Sequence, residues 1–143
     1  MAHRARERAR GLLLKALYQW QLTGHSRDEL VAQYSQLAEF GRIETHFFVD
    51  LLGHVLSDTE ALDGLIAEFA DRGIGQVDVV GRAVLLLALA ELKFRPDVPP
   101  KVAINEAVDL AKRYGAAESY RFINAVLDKA ARALGRTAGA VNA

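Results

Sequence analysis

The first ten residues of the chain, MAHRARERAR, concentrate side chains that are suited to binding phosphate groups. Guanidinium groups bind phosphate bidentately and stack on nucleic-acid bases. At about 100° per residue of a helix, Arg6 and Arg10 lie close to the direction of Leu13 and Leu17, which continue the buried face. We therefore expect Arg6 and Arg10 to emerge where this face meets solvent, in a position to bind a nucleic-acid backbone.

The same helix start has a simpler interpretation. Charge-rich termini are common, and Arg4 and Arg8 point toward the opposite side of the helix. A solvated helix start, with Glu7 and Glu118 as ion-pair partners of the arginines, is the alternative to a phosphate-binding surface.

A second group of polar residues lies in the run SYRFIN at residues 119–124. Phe122 and Asn124 fall on different sides of a helix, so both cannot face the core. Phe122 is suited to stacking on an unpaired base, which is worth about 1–3 kcal/mol, although plain core packing is the simpler explanation. Asn124 is either a buried hydrogen bonder or a base reader.

The sequence lacks the usual arrangements of catalytic and metal-binding residues. It has no GxxxxGK[ST] phosphate loop and no GxSxG nucleophile motif. His46 and His54 are eight positions apart, whereas paired helical zinc ligands are usually four apart. Glu60 and Asp63 are typical of a solvated helix face. We therefore expect no enzyme activity, no catalytic residue, no metal site and no cofactor.

Composition limits the class of protein further. The 143 residues suffice for one domain, and the absence of cysteine excludes disulfides and thiolate metal sites. A net charge of zero argues against indiscriminate polyanion binding by the whole surface, but it allows a local basic patch. The charged start is no ordinary signal peptide, and the longest apolar run, 83–90, is shorter than the roughly 20 residues of a membrane span. We expect a soluble cytoplasmic protein.

Apolar residues recur with helical periodicity almost throughout, which predicts an all-α fold of seven helices in a single domain at 1–134. The fifth helix is apolar nearly all round and should be central. The residues 135–143 are small and are expected to form a flexible tail. The expected helices span about 4–22, 26–41, 44–56, 58–69, 77–94, 100–115 and 119–134.

Individual residues predict where some of these helices begin and end. Ser26 should cap the second helix, in which Leu37 should face inward. Gly115 should end the sixth helix in the left-handed conformation, and Ser119 should cap the seventh.

Three stretches resemble the NusB family (N-utilisation substance protein B): ALYQWQL at 16–22, AVLLLALAEL at 83–92, and the whole of 102–132. The resemblance covers Arg6 to about Ala131. It implies a fold of two small helical bundles that share one core. It also implies an antitermination factor that pairs with the ribosomal protein NusE, binds the single-stranded boxA RNA element, and supports ribosomal RNA transcription.

The resemblance also implies which residues form the two binding surfaces. Those that would contact RNA are Arg6, Arg10, Glu118, Ser119, Arg121, Phe122 and Asn124. Those that would face NusE and the antitermination complex are Tyr18 and, at the start of the fifth helix, Asp78 and Arg82. Three positions depart from the family pattern. Gly81 stands where an acidic residue is common, Ala125 replaces a glycine, and Ala90 replaces a frequent tyrosine.

Two other functions remain open. A helical protein-interaction module without RNA affinity is compatible with Gly81 and with the zero net charge. The RNA-binding domain of a ribosomal RNA methyltransferase is also similar to the family, but it needs a fused catalytic domain that these residues do not contain. A monomer and a homodimer are both compatible with the family.

Overall fold

The computed structural model of the protein describes residues 2–71 and 73–136. Within these residues the chain forms seven α-helices and two short 3-10 helices, and no β-strand. The α-helices are α1 Ala2–Thr23, α2 Arg27–Tyr34, α3 Thr45–Ser57, α4 Thr59–Phe69, α5 Val79–Phe94, α6 Pro100–Tyr114 and α7 Ser119–Ala133. The 3-10 helices are Ala38–Arg42, between α2 and α3, and Ile74–Gln76, before α5. The prediction of an all-α, seven-helix fold is confirmed.

Helix α5 is the centre of the fold. Its residues from Ala83 to Leu92 are all buried, as expected for a helix that is apolar nearly all round. It packs against α1 and α3, which form a first bundle with α2, and against α4, α6 and α7, which form a second bundle. Buried side chains from all seven helices belong to one hydrophobic cluster. No described helix, α5 included, is long and apolar enough to cross a membrane.

Capping residues fix the starts of the helices that carry the candidate sites. Ser26 caps α2 as predicted, because its hydroxyl accepts a hydrogen bond from the backbone N–H of Glu29 and the Glu29 carboxylate accepts one from Ser26. Asp78 caps α5, with Oδ1 accepting a hydrogen bond from the N–H of Gly81 at 2.6 Å. Pro100 occupies the first turn of α6, where its missing N–H costs nothing.

Three local predictions are wrong. Gly115 ends α6 with a φ of −88°, in an extended rather than a left-handed conformation. The left-handed residue is Glu118, with a φ of 66°, and it occupies the position before α7. Ser119 is therefore the first residue of α7 and does not cap it. Leu37 is 44% exposed, because α2 ends at Tyr34 and the chain then turns into a 3-10 helix.

The end of the described chain is anchored to the last turn of α5 and the loop after it. The Arg136 guanidinium donates hydrogen bonds to the backbone carbonyls of Leu92 and Val98. Residues 137–143, most of the predicted flexible tail, lie outside the described residues. The division into a domain at 1–134 and a tail at 135–143 stays a prediction.

Candidate nucleic-acid interface

Arg10 lies inside the protein rather than at its surface. It is 2% exposed, and its guanidinium donates two hydrogen bonds to Glu91 of α5, at 2.9 and 2.8 Å. The expectation that Arg10 emerges into solvent is therefore wrong. Helix geometry placed Arg10 correctly on the core-facing side of α1. The carboxylate of Glu91, 81 positions further along the chain, pairs with the guanidinium and so allows its charge to be buried.

The pair of Arg10 and Glu91 links three helices. Burial raises the pKa of the Glu91 carboxyl because its charged form loses contact with water, and the hydrogen bonds from Arg10 act in the opposite direction. Nη1 of Arg10 also lies 3.8 Å from Glu106 of α6. The Arg10 guanidinium thus lies between α1, α5 and α6 and is almost completely shielded from solvent.

Arg6 lies at the partly exposed edge of the same region. Its Nε and Nη2 donate hydrogen bonds to the Glu44 carboxylate at 3.0 and 3.1 Å, and its Nη1 donates one to Asp97 at 3.2 Å. The hydrogen bonds from Arg6 lower the pKa of Glu44. Arg6 thus pairs with residues of other segments, rather than with Glu7 or Glu118 as the alternative interpretation offered. With a side chain 25% exposed, Arg6 is only partly open to a ligand.

Three guanidinium groups surround the ring of Phe47, which is fully buried in α3. The guanidinium carbons of Arg6, Arg10 and Arg95 lie 4.5, 5.1 and 5.1 Å from the ring centroid. Attraction between a cation and an aromatic face strengthens when the pair is shielded from water. No local sequence signal connects Phe47 with these arginines, so the sequence did not predict this cluster.

The accessible cations of α1 are the other two arginines. Arg4 and Arg8 are exposed, and neither forms an ion pair within the described ranges. Lys15, two turns beyond Arg8, continues the exposed side of the helix. Arg4 and Arg8 point away from the apolar stripe of α1, and for this reason they are available to a ligand.

The start of α7 forms a small cavity of about 200 Å³ with the segment that precedes α5. Phe122 lines this cavity, and its partly buried ring also packs against the hydrophobic core. Phe122 therefore contributes both to the hydrophobic core and to the wall of the cavity. Gln76 and Asp78 also line the cavity, although no sequence motif marks Gln76 as a functional residue.

Ser119 has an unusual environment beside Phe122. Its Oγ is buried and has no hydrogen-bond partner among the described residues, although buried hydroxyls normally find one. The preceding Glu118 adopts the left-handed conformation, which costs a non-glycine residue about 1–2 kcal/mol. Its carboxylate pairs with the exposed Arg121 at 2.8 Å. An aromatic ring, an unsatisfied hydroxyl and a cation thus lie within one turn of α7.

Asn124 lies on a different face of α7 from Phe122. It is exposed, which excludes the interpretation as a buried hydrogen bonder, and it lines a separate cleft together with Asn105 of α6. The predicted RNA-binding residues therefore fall into three groups. Glu118, Ser119, Arg121 and Phe122 gather at the start of α7, Asn124 faces the cleft, and Arg6 and Arg10 belong to the network of α1.

Tyr18 belongs to an apolar cleft of about 510 Å³ that is lined by residues of α1, α2, α5 and α6. Tyr18, Leu22 and Tyr114 are 43%, 62% and 45% exposed, so their side chains are accessible to a partner. An exposed apolar patch that is rich in tyrosine is typical of a protein-binding surface.

Asp78 and Arg82 both have structural roles at the start of α5. Arg82 donates hydrogen bonds to Asp63 of α4 at 3.0 and 2.6 Å, and its guanidinium carbon lies 5.3 Å from the Trp20 ring centroid. Arg82 therefore ties α5 to α4 and α1 while it remains partly exposed. Asp78 is exposed, but one of its oxygens caps α5. Any contact with a partner protein would add to these roles.

One group of side chains near the start of α1 has the composition of a metal site. Ligand atoms of His3, Glu7 and Glu106 lie within 4.8 Å of one another, and none of the three residues is buried. Glu106 also lies 3.8 Å from Arg10, whose charge opposes a cation at this position. The absence of a metal site therefore stays a prediction.

Residues 7–132 match the NusB family. The chain belongs to the NusB family. It is 42% identical over 130 residues to the transcription antitermination protein NusB of Alcanivorax borkumensis, with 91% of this chain and 87% of that protein covered. It is 44% identical over 126 residues to the transcription antitermination protein NusB of Idiomarina loihiensis, with 88% of this chain and 91% of that protein covered.

The NusB fold extends over both bundles. The solved structure of T. maritima NusB is similar to this chain with a TM-score of 0.81 at 26% sequence identity. The similarity covers 96% of each chain. The fold that the sequence resemblance implied is therefore confirmed.

Two departures from the NusB pattern have a local explanation. A Cβ atom on Gly81 would lie 2.7 Å from the Asp78 oxygen that caps α5, so a larger residue at this position would displace that oxygen. Ala90 is fully buried in α5, which makes the missing tyrosine a matter of core packing. Ala125 is exposed beside Asn124, on the surface of α7.

Proposed function

We propose that this member of the NusB family is a cytoplasmic transcription antitermination factor. In this proposal it binds single-stranded boxA-type RNA together with the ribosomal protein NusE and so supports ribosomal RNA transcription. The observation that carries the proposal is the cavity at the start of α7, which Phe122 lines next to the exposed Arg121 in the chain. A base that stacks on Phe122 gains about 1–3 kcal/mol.

The phosphate contacts of this RNA are assigned to exposed cations. Arg121 stands beside the cavity, and the first N–H groups of α7 favour an anion nearby. On α1 the assignment goes to Arg4 and Arg8, with Arg6 at the partly exposed edge, since Arg10 is enclosed and bonded to Glu91.

The double variant Arg4→Ala/Arg8→Ala should weaken RNA binding and reduce its salt dependence. Each lost phosphate contact should lower the slope of log affinity against log salt by about 0.7, the value for single strands. Titrations at several salt concentrations measure this slope. The matched control is Arg27→Ala/Lys129→Ala, which removes two exposed cations from other faces. If both double variants lose the same amount of RNA affinity, the effect is one of diffuse charge rather than of a site on α1.

The apolar cleft at Tyr18 is assigned to NusE. Two exposed tyrosines and Leu22 supply apolar area of the kind that dominates protein interfaces, and Arg82 and Asp78 lie at the start of the neighbouring α5. This cleft is also what a protein-interaction module without RNA affinity would need. The RNA titrations separate the two functions, because such a module would bind NusE and leave RNA unbound.

A further inference from the structure

Helices α6 and α7 enclose a cleft of about 330 Å³ that shares no residue with the cavity of Phe122. Asn105 of α6 and Asn124 of α7 both line it, and Ile104 and Ala131 contribute apolar surface. The volume lies at the lower end of the range of small-molecule sites, about 300–1,000 Å³. The cleft therefore has room for one flat, polar ligand of the size of a nucleotide.

The two amides of this cleft are available to a ligand. Both asparagines are exposed, and neither side chain has a hydrogen-bond partner in the part of the chain that the structure describes. Each amide offers two donor hydrogens and an acceptor oxygen, which match the edges of nucleobases. Asp128, in the same cleft, adds a further acceptor. The edges of unpaired bases are the groups that proteins read in single-stranded RNA.

The charge of the cleft suits a phosphodiester. Lys101 is exposed and forms no ion pair within residues 2–71 and 73–136. Arg132 pairs with Asp128 at 3.0 Å, but both side chains are more than half exposed, so a phosphate can compete for the guanidinium. Arg136 bonds to backbone carbonyls and has no carboxylate partner in the described chain. Three cations thus face one carboxylate.

The cleft lies within reach of a strand bound at Phe122. Arg121, Asn124 and Asp128 are spaced by three and four residues and therefore share one face of α7. Arg121 follows the turn that contains Glu118 and Ser119 and is itself exposed. From Phe122 to Asp128 the helix rises by about 9 Å, at 1.5 Å per residue. A short single strand that leaves the Phe122 cavity can pass Arg121 and enter the cleft.

We propose that the cleft between α6 and α7 binds a second unpaired nucleotide of the same RNA. Asn105 and Asn124 hydrogen-bond to the edge of its base, and Lys101 and Arg132 contact its phosphates. This inference rests on the proposed RNA-binding function and extends it. Stacking at Phe122 tolerates any base, whereas the amides distinguish donors from acceptors, so the cleft contributes the sequence preference.

The test uses the full chain and a set of labelled boxA-type RNA oligonucleotides, each of which lacks the base at one position. The variant Asn105→Ala/Asn124→Ala should bind intact RNA about 5- to 150-fold more weakly than the wild type, as expected for one base read by hydrogen bonds. It should also become insensitive to the missing base at one position. The variant Phe122→Leu should become insensitive to the missing base at a different position of the RNA. The melting temperature of the double variant should stay unchanged, because both amides lie at the surface.

Matched charge variants complete the test. Lys101→Gln should lower the salt slope by about 0.7, whereas Lys129→Gln, an exposed lysine of α7 outside the cleft, should leave it unchanged. If Phe122→Leu weakens binding while Asn105→Ala/Asn124→Ala binds every oligonucleotide as the wild type does, the cleft is not a nucleotide site and the proposed function stands. If the wild type binds no RNA with or without NusE, both proposals fail.

Discussion

Replacement of Arg10 by alanine is expected to lower the free energy of unfolding by about 3–5 kcal/mol, because it leaves the Glu91 carboxylate buried without its partner. Glu91 is 1% exposed and receives both of its close hydrogen bonds from Arg10. In a chain of this size the loss corresponds to a fall in melting temperature on the order of 10 °C. Thermal or denaturant unfolding of Arg10→Ala measures the effect.

Two further variants separate this structural effect from a role in RNA binding. Arg8→Ala removes an exposed arginine of the same helix and should change stability by less than about 0.5 kcal/mol. Arg10→Met/Glu91→Leu replaces the buried pair by apolar side chains and should recover most of the lost stability. It should also bind RNA as the wild type does. A stable double variant that has lost RNA affinity would mean that Arg10 contacts the RNA directly.

The variant Phe122→Leu is expected to weaken RNA binding by about 1–3 kcal/mol, the value of one stacked base. Leucine keeps much of the apolar volume but has no aromatic face. Because the Phe122 ring is only partly buried, stability should fall by less than about 1.5 kcal/mol. Titration of labelled boxA-type RNA, with a melting curve for each protein, measures both quantities.

The matched control is the same substitution at a partly buried phenylalanine of the first bundle. Phe40 packs edge-on against Phe48 and lies outside the α7 cavity. Phe40→Leu should therefore leave RNA affinity unchanged at a similar cost in stability. A large fall in melting temperature for Phe122→Leu, together with intact RNA affinity, would identify Phe122 as a core residue only.

Features that depend on neighbouring residues could be predicted from the sequence. The capping box at Ser26 needs only Glu29, three positions further on. The central position of α5 follows from a run of apolar residues within one helix. The exposure of Tyr18 follows from its angle on α1 relative to the apolar stripe. In each case the information lies within about two helical turns.

The features that the sequence did not reveal depend on distant residues or on backbone conformation. The partners of Arg10 and Arg6 come from segments 81 and 38 positions away, so local patterns gave no sign that these charges would be enclosed or paired. The left-handed residue before α7 is Glu118 rather than Gly115, against the intrinsic preference of both residue types. That turn forms one wall of the Phe122 cavity, so the unexpected geometry coincides with the candidate site.

The most direct test of the proposed function is a titration of labelled boxA-type RNA with this protein, alone and with NusE. An RNA of scrambled sequence serves as the control. We expect the protein to bind the boxA-type RNA more tightly than the scrambled RNA, and more tightly still when NusE is present. The salt dependence of this affinity should reflect contacts with exposed cations. Equal affinity for both RNAs in the presence of NusE, or no binding at all, would contradict the proposed function.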